Sequence, residues 1–202
     1  GESFPTEVKS KSELGDDYGM RAASGIGKEW FEQIAALREY MIGKTADELT
    51  AIALDDATHA TDEEITAGCT IKIGGYINSV VSAISKATDC DAAATDKVGL
   101  GIVTSVSSSK EATADADGLC QAYSYYAAVT ANADGAITAC RIDATQGNVN
   151  FDATGKVTSD LTARVSTKQE LGDDYGMRAA SGIGKEWNEQ ADAFAAYVTT
   201  KT

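Results

Sequence analysis

Apolar residues step by three and four along three stretches of the chain. Ile26, Trp30, Ile34, Leu37 and Met41 form one series, Ile183, Trp187, Ala191, Phe194 and Val198 a second, and Ile77, Val80, Val81 and Ile84 a third. Each series makes one stripe on an amphipathic helix, over about 25–42, 183–200 and 75–87. Ser24 and Ser181 are the expected N-caps of the first two. Thr45 with Glu48 reads as a capping box opening a short helix over 46–53, and Thr61 with Glu64 as a second box. Residues 1–10 read as extended. Between Val98 and Val165 the period changes to two. Val98–Val106 is β-branched, Cys120–Thr130 puts Tyr123, Tyr125, Ala127 and Val129 on one face, and strands are expected at 136–143, 149–151 and 157–165. Turn chemistry separates them at Asp115–Gly118, Asn132–Gly135 and Asp152–Gly155.

The first two helical stretches belong to a duplication. Glu13–Trp30 and Glu170–Trp187 both read ELGDDYGMRAASGIGKEW, at an offset of 157 residues. Weaker identity continues outside the block, pairing Lys11 with Lys168, Glu32 with Glu189, Gln33 with Gln190 and Tyr40 with Tyr197. The first part of the block, rich in Gly, Asp and Tyr, reads as a turn. Phe31 in one copy is Asn188 in the other, so the two helices are expected to sit in different surroundings.

The chain therefore carries about one and a quarter repeats. The small, polar run Thr88–Asp96 is its best linker. The expected fold is α+β, an antiparallel β-meander sheet covered by amphipathic helices, with a duplicated turn–helix block. The expected division is a helical half, 1–97, and a second half, 98–202, holding the meander and the second block. Because a meander needs a cover, the helices of both halves are expected to share one core over the sheet.

Charge narrows the function. Thirty-one acidic residues oppose 17 basic ones, a formal net charge of −14, which argues against the phosphate contacts of a nucleic-acid binder. No apolar run reaches the length of a membrane span. Gly1, not Met, begins the chain and aligns with Thr158 inside the repeat, which points to a processed or trimmed chain. Cys69, Cys90, Cys120 and Cys140 contain no CxxC pair, so zinc is not supported. With Ala131 opposite Ala136, Cys120 would pair with Gly147 and Cys140 with Ala127, too far apart for a bridge; free, mostly buried thiols are expected. Gly43-Lys44-Thr45 lacks the upstream glycine of a P-loop. His59 is the one histidine, with no acid or Cys at a telling spacing, and reads as a loop residue.

One segment ahead of the third helix stands apart. Ala67-Gly68-Cys69-Thr70 is a small-residue turn leading into the helix, read either as a tight structural turn or as a place where backbone N–H groups approach an anion. Together with the Asp134-Gly135-x-Ile137 hairpin, the Lys ahead of a Gly/Asp/Tyr turn and Met, and the Trp-bearing helix, it resembles the FMN-binding domain family of bacterial surface and respiratory flavoproteins, in permuted order. Here Ala67, Cys69 and Glu64 stand where that pattern has Ser, Ala and Asp. The resemblance implies an FMN cofactor, carried on Thr70 in covalent members. It places Thr66, Gly68 and Thr70, with Asp174, Tyr175 and Met177, around the cofactor, and it puts the protein at the bacterial surface or outside the cell.

No Ser–His–Asp set and no nucleophile with a visible base is present, and neither catalytic nor metal-ligating residues are assigned. Binding is thus favoured over turnover. The readings are a flavin or small-ligand binder linked to electron transfer, a structural or interaction repeat module of the envelope without cofactor, and last a hydrolase using the Asp16-Asp17 and Asp173-Asp174 pairs.

Overall fold

A computed structural model describes residues 8–199. The extended segment expected over 1–10 lies almost wholly outside them. Seven helices and three strands follow in order. They are α1 (Lys11–Leu14), α2 (Trp30–Met41), α3 (Ala46–Thr50), α4 (Glu63–Thr66), α5 (Gly74–Ser85), β1 (Lys97–Ser105), β2 (Gly118–Ala131), β3 (Ile137–Phe151), α6 (Lys168–Leu171) and α7 (Trp187–Thr199). The strands form one antiparallel sheet in the order β1-β2-β3, so the α+β class and the meander stand. The chain divides into two compact units, Lys9–Asp89 and Cys90–Thr202, a few residues ahead of the boundary read from the sequence.

The Lys9–Asp89 unit is helical. Leu37 of α2, Leu49 of α3, Ile65 of α4, Cys69, Ile71, Ile73 and Ile77 of α5 form its buried cluster, with Met20, Trp30, Ile34 and Val80 packed against it. The unit thus encloses a core of its own. Its capping boxes explain where the helices begin. Thr45 and Glu48 close on each other as expected. At the next helix Asp62, rather than Thr61, is the cap, its side chain accepting from Glu64 N.

In the Cys90–Thr202 unit, α6 and α7 pack on β3. Ala191 and Ala195 of α7 are buried, as is Ala144 of β3. Small side chains on both elements let the helix approach the strand closely. The sheet differs from expectation in register and in extent. Asn132 N donates to Ala136 O across a turn in which Gly135 takes φ 83°, and a bulge follows at Thr130/Ala131. Cys120 consequently faces Val149 and Cys140 faces Val129, a two-residue shift from the expected pairing. An even shift keeps every side chain on its face. Tyr123 and Tyr125, two apart on β2, lie side by side with ring centroids 4.3 Å apart. Cys120 and Cys140 lie nine rungs apart on the β2 ladder, roughly 30 Å. All four cysteines are free, but only Cys69 is buried; Cys90 and Cys120 are exposed. The mostly buried thiols expected from the sequence are therefore corrected. The two strands expected at 136–143 and 149–151 are one continuous β3. The strand expected at 157–165 is absent, with only a bridge between Phe151 and Val157. Its exposed Val157, Leu161 and Val165 alternate too loosely to define a buried face.

Candidate functional site

The two identical blocks fold identically. In each, a short helix (α1, α6) runs into a single 3-10 turn over Gly15–Tyr18 or Gly172–Tyr175. Gly15, Gly19 and Gly27, and their counterparts Gly172, Gly176 and Gly184, all take positive φ. That backbone is open to glycine and strained for other residues. The helix then begins at Trp30 or Trp187, not at Ser24 or Ser181 as expected. Glu29 caps α2 in a box with Glu32. Ser24 Oγ instead accepts from Gln33 Nε2 at 3.1 Å.

A buried carboxylate is the hub of each block. Glu29 is 2% exposed and Glu186 1%. Glu29 accepts from Met20 N at 3.0 Å and Arg21 N at 2.6 Å, and Glu186 from Met177 N at 2.9 Å and Arg178 N at 2.7 Å. Burial opposes charge on both. The converging backbone N–H donors outweigh it and hold each carboxyl below the ordinary glutamate range. Arg21 bridges Asp16 (2.8 Å) and Glu32 (2.7 Å); Arg178 repeats this with Asp173 (2.6 Å) and Glu189 (2.7 Å). One member of each paired Asp motif, Asp16 or Asp173, is thus bound to arginine.

A lysine sits in an aromatic cage beside each hub. Lys168 Nζ lies 4.6 Å from the Tyr123 ring, 4.4 Å from Tyr175 and 5.4 Å from Trp187, and donates to Tyr123 Oη at 2.8 Å. Lys11 lies 4.8 Å from Tyr18 and 5.4 Å from Trp30, with Tyr76 of α5 packed on Trp30 at 6.0 Å. Two rings of each cage come from the block, and the neighbouring tyrosine comes from outside it, from α5 in one copy and β2 in the other. Lys168 is 5% exposed. Burial works against its charge, but Tyr123 and Tyr175 more than offset this and raise its pKa. A raised lysine contributes its stabilisation in full below the ordinary value of 10.5 and loses it as pH climbs through the folded value. At neutral pH, Lys168→Met is expected to cost about 2–3 kcal/mol. Lys11→Met should cost less, because Lys11 is only half buried. Urea denaturation of the two variants side by side checks the ranking.

The six residues expected around a cofactor fall into two groups, one in each unit. Thr66 ends α4. Gly68 lies under α2 so closely that an added Cβ would stand 2.8 Å from Ala36 Cβ, which gives this glycine a packing reason. Thr70 is half buried; its N and Oγ1 both donate to Gln33 Oε1, at 2.8 and 3.2 Å. Asp174, Tyr175 and Met177 lie in the Cys90–Thr202 unit, where Tyr175 Oη donates to Gln146 Oε1 at 3.3 Å. Within Lys9–Asp89, the block residues that accompany Thr70 are the first-copy equivalents Asp17, Tyr18 and Met20. The missed residue is Gln33, which ties the block to the turn; its identity with Gln190 was the available signal. His59 also has an acidic partner that its spacing did not reveal, its Nδ1 lying 3.0 Å from Asp55 Oδ2.

Over 41 residues, a fifth of its length, the chain is 49% identical to a chlorophenol reductase of Desulfitobacterium hafniense. The matched stretch spans 12% of that protein. No family model and no solved structure matches. Among the described residues, no helix is long and apolar enough to cross a membrane, and no group of three His, Cys, Asp or Glu side chains is placed to hold a metal ion.

Proposed function

We propose that the chain is a binding module of the FMN-binding type, serving electron transfer outside the cytoplasm or at the bacterial surface, with the Ala67–Thr70 turn as its ligand side. The observation that carries this reading is the clasp of Gln33 on Thr70. It fixes a half-exposed threonine hydroxyl immediately ahead of α5, and it joins the turn to the block that contains Asp17, Tyr18 and Met20. The match to a protein named as a reductase suits a redox setting. The expected role of Thr66 and Gly68 is to keep the turn small, and that of Thr70 is to meet the flavin phosphate.

Reconstitution with FMN, FAD and riboflavin tests the proposal. A yellow protein with a raised melting temperature is the expected result. In a covalently loaded chain the intact mass should rise by one FMN less water, and Thr70→Ala should abolish that gain. A colourless protein with no thermal shift would overturn the flavin reading. It would favour the second reading, a structural repeat module. That alternative has its own support, since the polar side chains in and beside the block are spent on structure: Glu29 on the Met20 and Arg21 N–H groups, Arg21 on Asp16 and Glu32, and Lys11 on the Tyr18 and Trp30 rings.

A further inference from the structure

The two edges of the sheet differ. Along β3 the outer backbone is occupied by the chain that follows it: Ile142 O accepts from Gln169 Nε2 at 3.2 Å, and Asn150 O from Thr158 N at 2.9 Å. β1 pairs with β2 alone, over nine consecutive rungs without a bulge. Among the described residues, none bonds the outer N–H and C=O groups of β1. Natural sheet edges are blunted by charge, proline, a bulge or a cover. From Val98 to Ser105 the strand carries no charged residue and no proline. Its apolar side chains are bare on both sides of the sheet. Val98, Leu100 and Ile102 on one side are 81, 70 and 51% exposed, and Val103 on the other is 64% exposed.

Unpaired backbone groups along such an edge call for another strand, and the sequence of β1 is complementary to itself. When two copies are set antiparallel about a twofold axis at Gly101, Leu100 lies opposite Ile102 of the second copy and Val98 opposite Thr104, all on one face. Gly99 lies opposite Val103 on the other face, where it leaves room for the valine. The two Lys97 side chains fall at opposite ends, roughly 26 Å apart. Two copies of a chain of net charge −14 thus meet along a stretch where no like charges are paired.

We infer that the outer edge of β1 is a pairing surface for β1 of a second copy, which joins two three-stranded sheets into one across a twofold interface. The pairing adds roughly eight to ten main-chain hydrogen bonds. It also shields part of the about 400 Å² of apolar side chain that the four residues expose per copy. That is the small end of specific interfaces, so a reversible dimer with Kd on the order of 10–100 μM is expected. The inference stands on the sheet edge and does not depend on flavin binding.

Sedimentation velocity of the full chain, at concentrations spanning that range, tests it. Leu100→Lys puts a charge into both Leu–Ile pairs of the dimer. It should raise Kd by about tenfold or more and leave the melting curve of the dilute chain unchanged, because Leu100 is mostly in solvent there. Ile102→Glu should weaken the dimer likewise. Mixing the two variants should restore dimerisation, because the introduced ammonium and carboxylate then lie opposite each other and the second Leu–Ile pair is intact. A chain monomeric throughout would overturn the inference, in favour of a strand of another protein as the occupant. So would dimerisation indifferent to Leu100→Lys. A mixture that stays monomeric would also overturn it, since the strands would then meet in another register.

Discussion

Leu37→Ala will destabilise the Lys9–Asp89 unit by about 3–5 kcal/mol, whereas Phe194→Ala, at the same position of the duplicated helix, will change stability by less than about 0.5 kcal/mol. Leu37 is enclosed by Leu49, Ile65, Cys69 and Ile77, so truncation removes a leucine's worth of burial and leaves a cavity that the surrounding short helices cannot fill without moving. Phe194 is mostly in solvent, and removing its ring leaves no hole. The measurement needs a reporter for each unit. Trp30 and Trp187 supply one each, so urea titrations of Trp30→Phe and Trp187→Phe backgrounds report the two units separately. Similar losses at both positions would mean that the copies share one environment, contrary to the structure.

That contrast also marks what could be read from the sequence and what could not. The stripe on each helix was legible because side chains at three- and four-residue steps line one side of a helix. The stripe does not say what covers it, and the copies diverge on that point. The meander was legible from its period and its turns. Its register was missed by two, one residue because the turn pairs Asn132 rather than Ala131 with Ala136 and one because a bulge at Thr130/Ala131 inserts a residue that no local preference announces. The helix starts were misplaced by about a turn and a half because Ser24 looks like a cap. Glu29 took the role, since it can gather backbone N–H groups from nine residues upstream, and such a contact has no sequence period. Thr66, Gly68 and Thr70 fall in one unit because they are near neighbours in sequence. Asp174, Tyr175 and Met177 were joined to them through a repeat that occurs twice, and the copy that shares a unit with Thr70 is the first.

The carboxylate hub gives the second large effect. Glu186→Gln will lower the melting temperature of the Cys90–Thr202 unit by on the order of 10 °C, and Glu29→Gln will do the same to its own unit. Both oxygens of Glu186 are used. Oε1 accepts from Arg178 N, and Oε2 from Met177 N and from Trp187 N at 3.3 Å. An amide must turn its NH2 toward one of these N–H donors, so a buried acceptor becomes a buried clash of donors. The same hub sets the acid limit. The Glu186 carboxyl is held below its ordinary value of 4.5. Glu189, which accepts from Glu186 N at 2.8 Å and from Lys185 Nζ at 3.0 Å, is lowered to about 2. For a group whose folded value is depressed, the stabilisation is complete above the unfolded value and disappears as pH falls through the folded one. Stability should therefore hold down to about pH 4.5 and fall steadily toward pH 2. In Glu186→Gln the drop across that window should be shallower, because one proton-linked group is gone. Thermal melts at stepped pH, read through Trp187, distinguish this from general acid unfolding, in which variant and parent would lose stability in parallel.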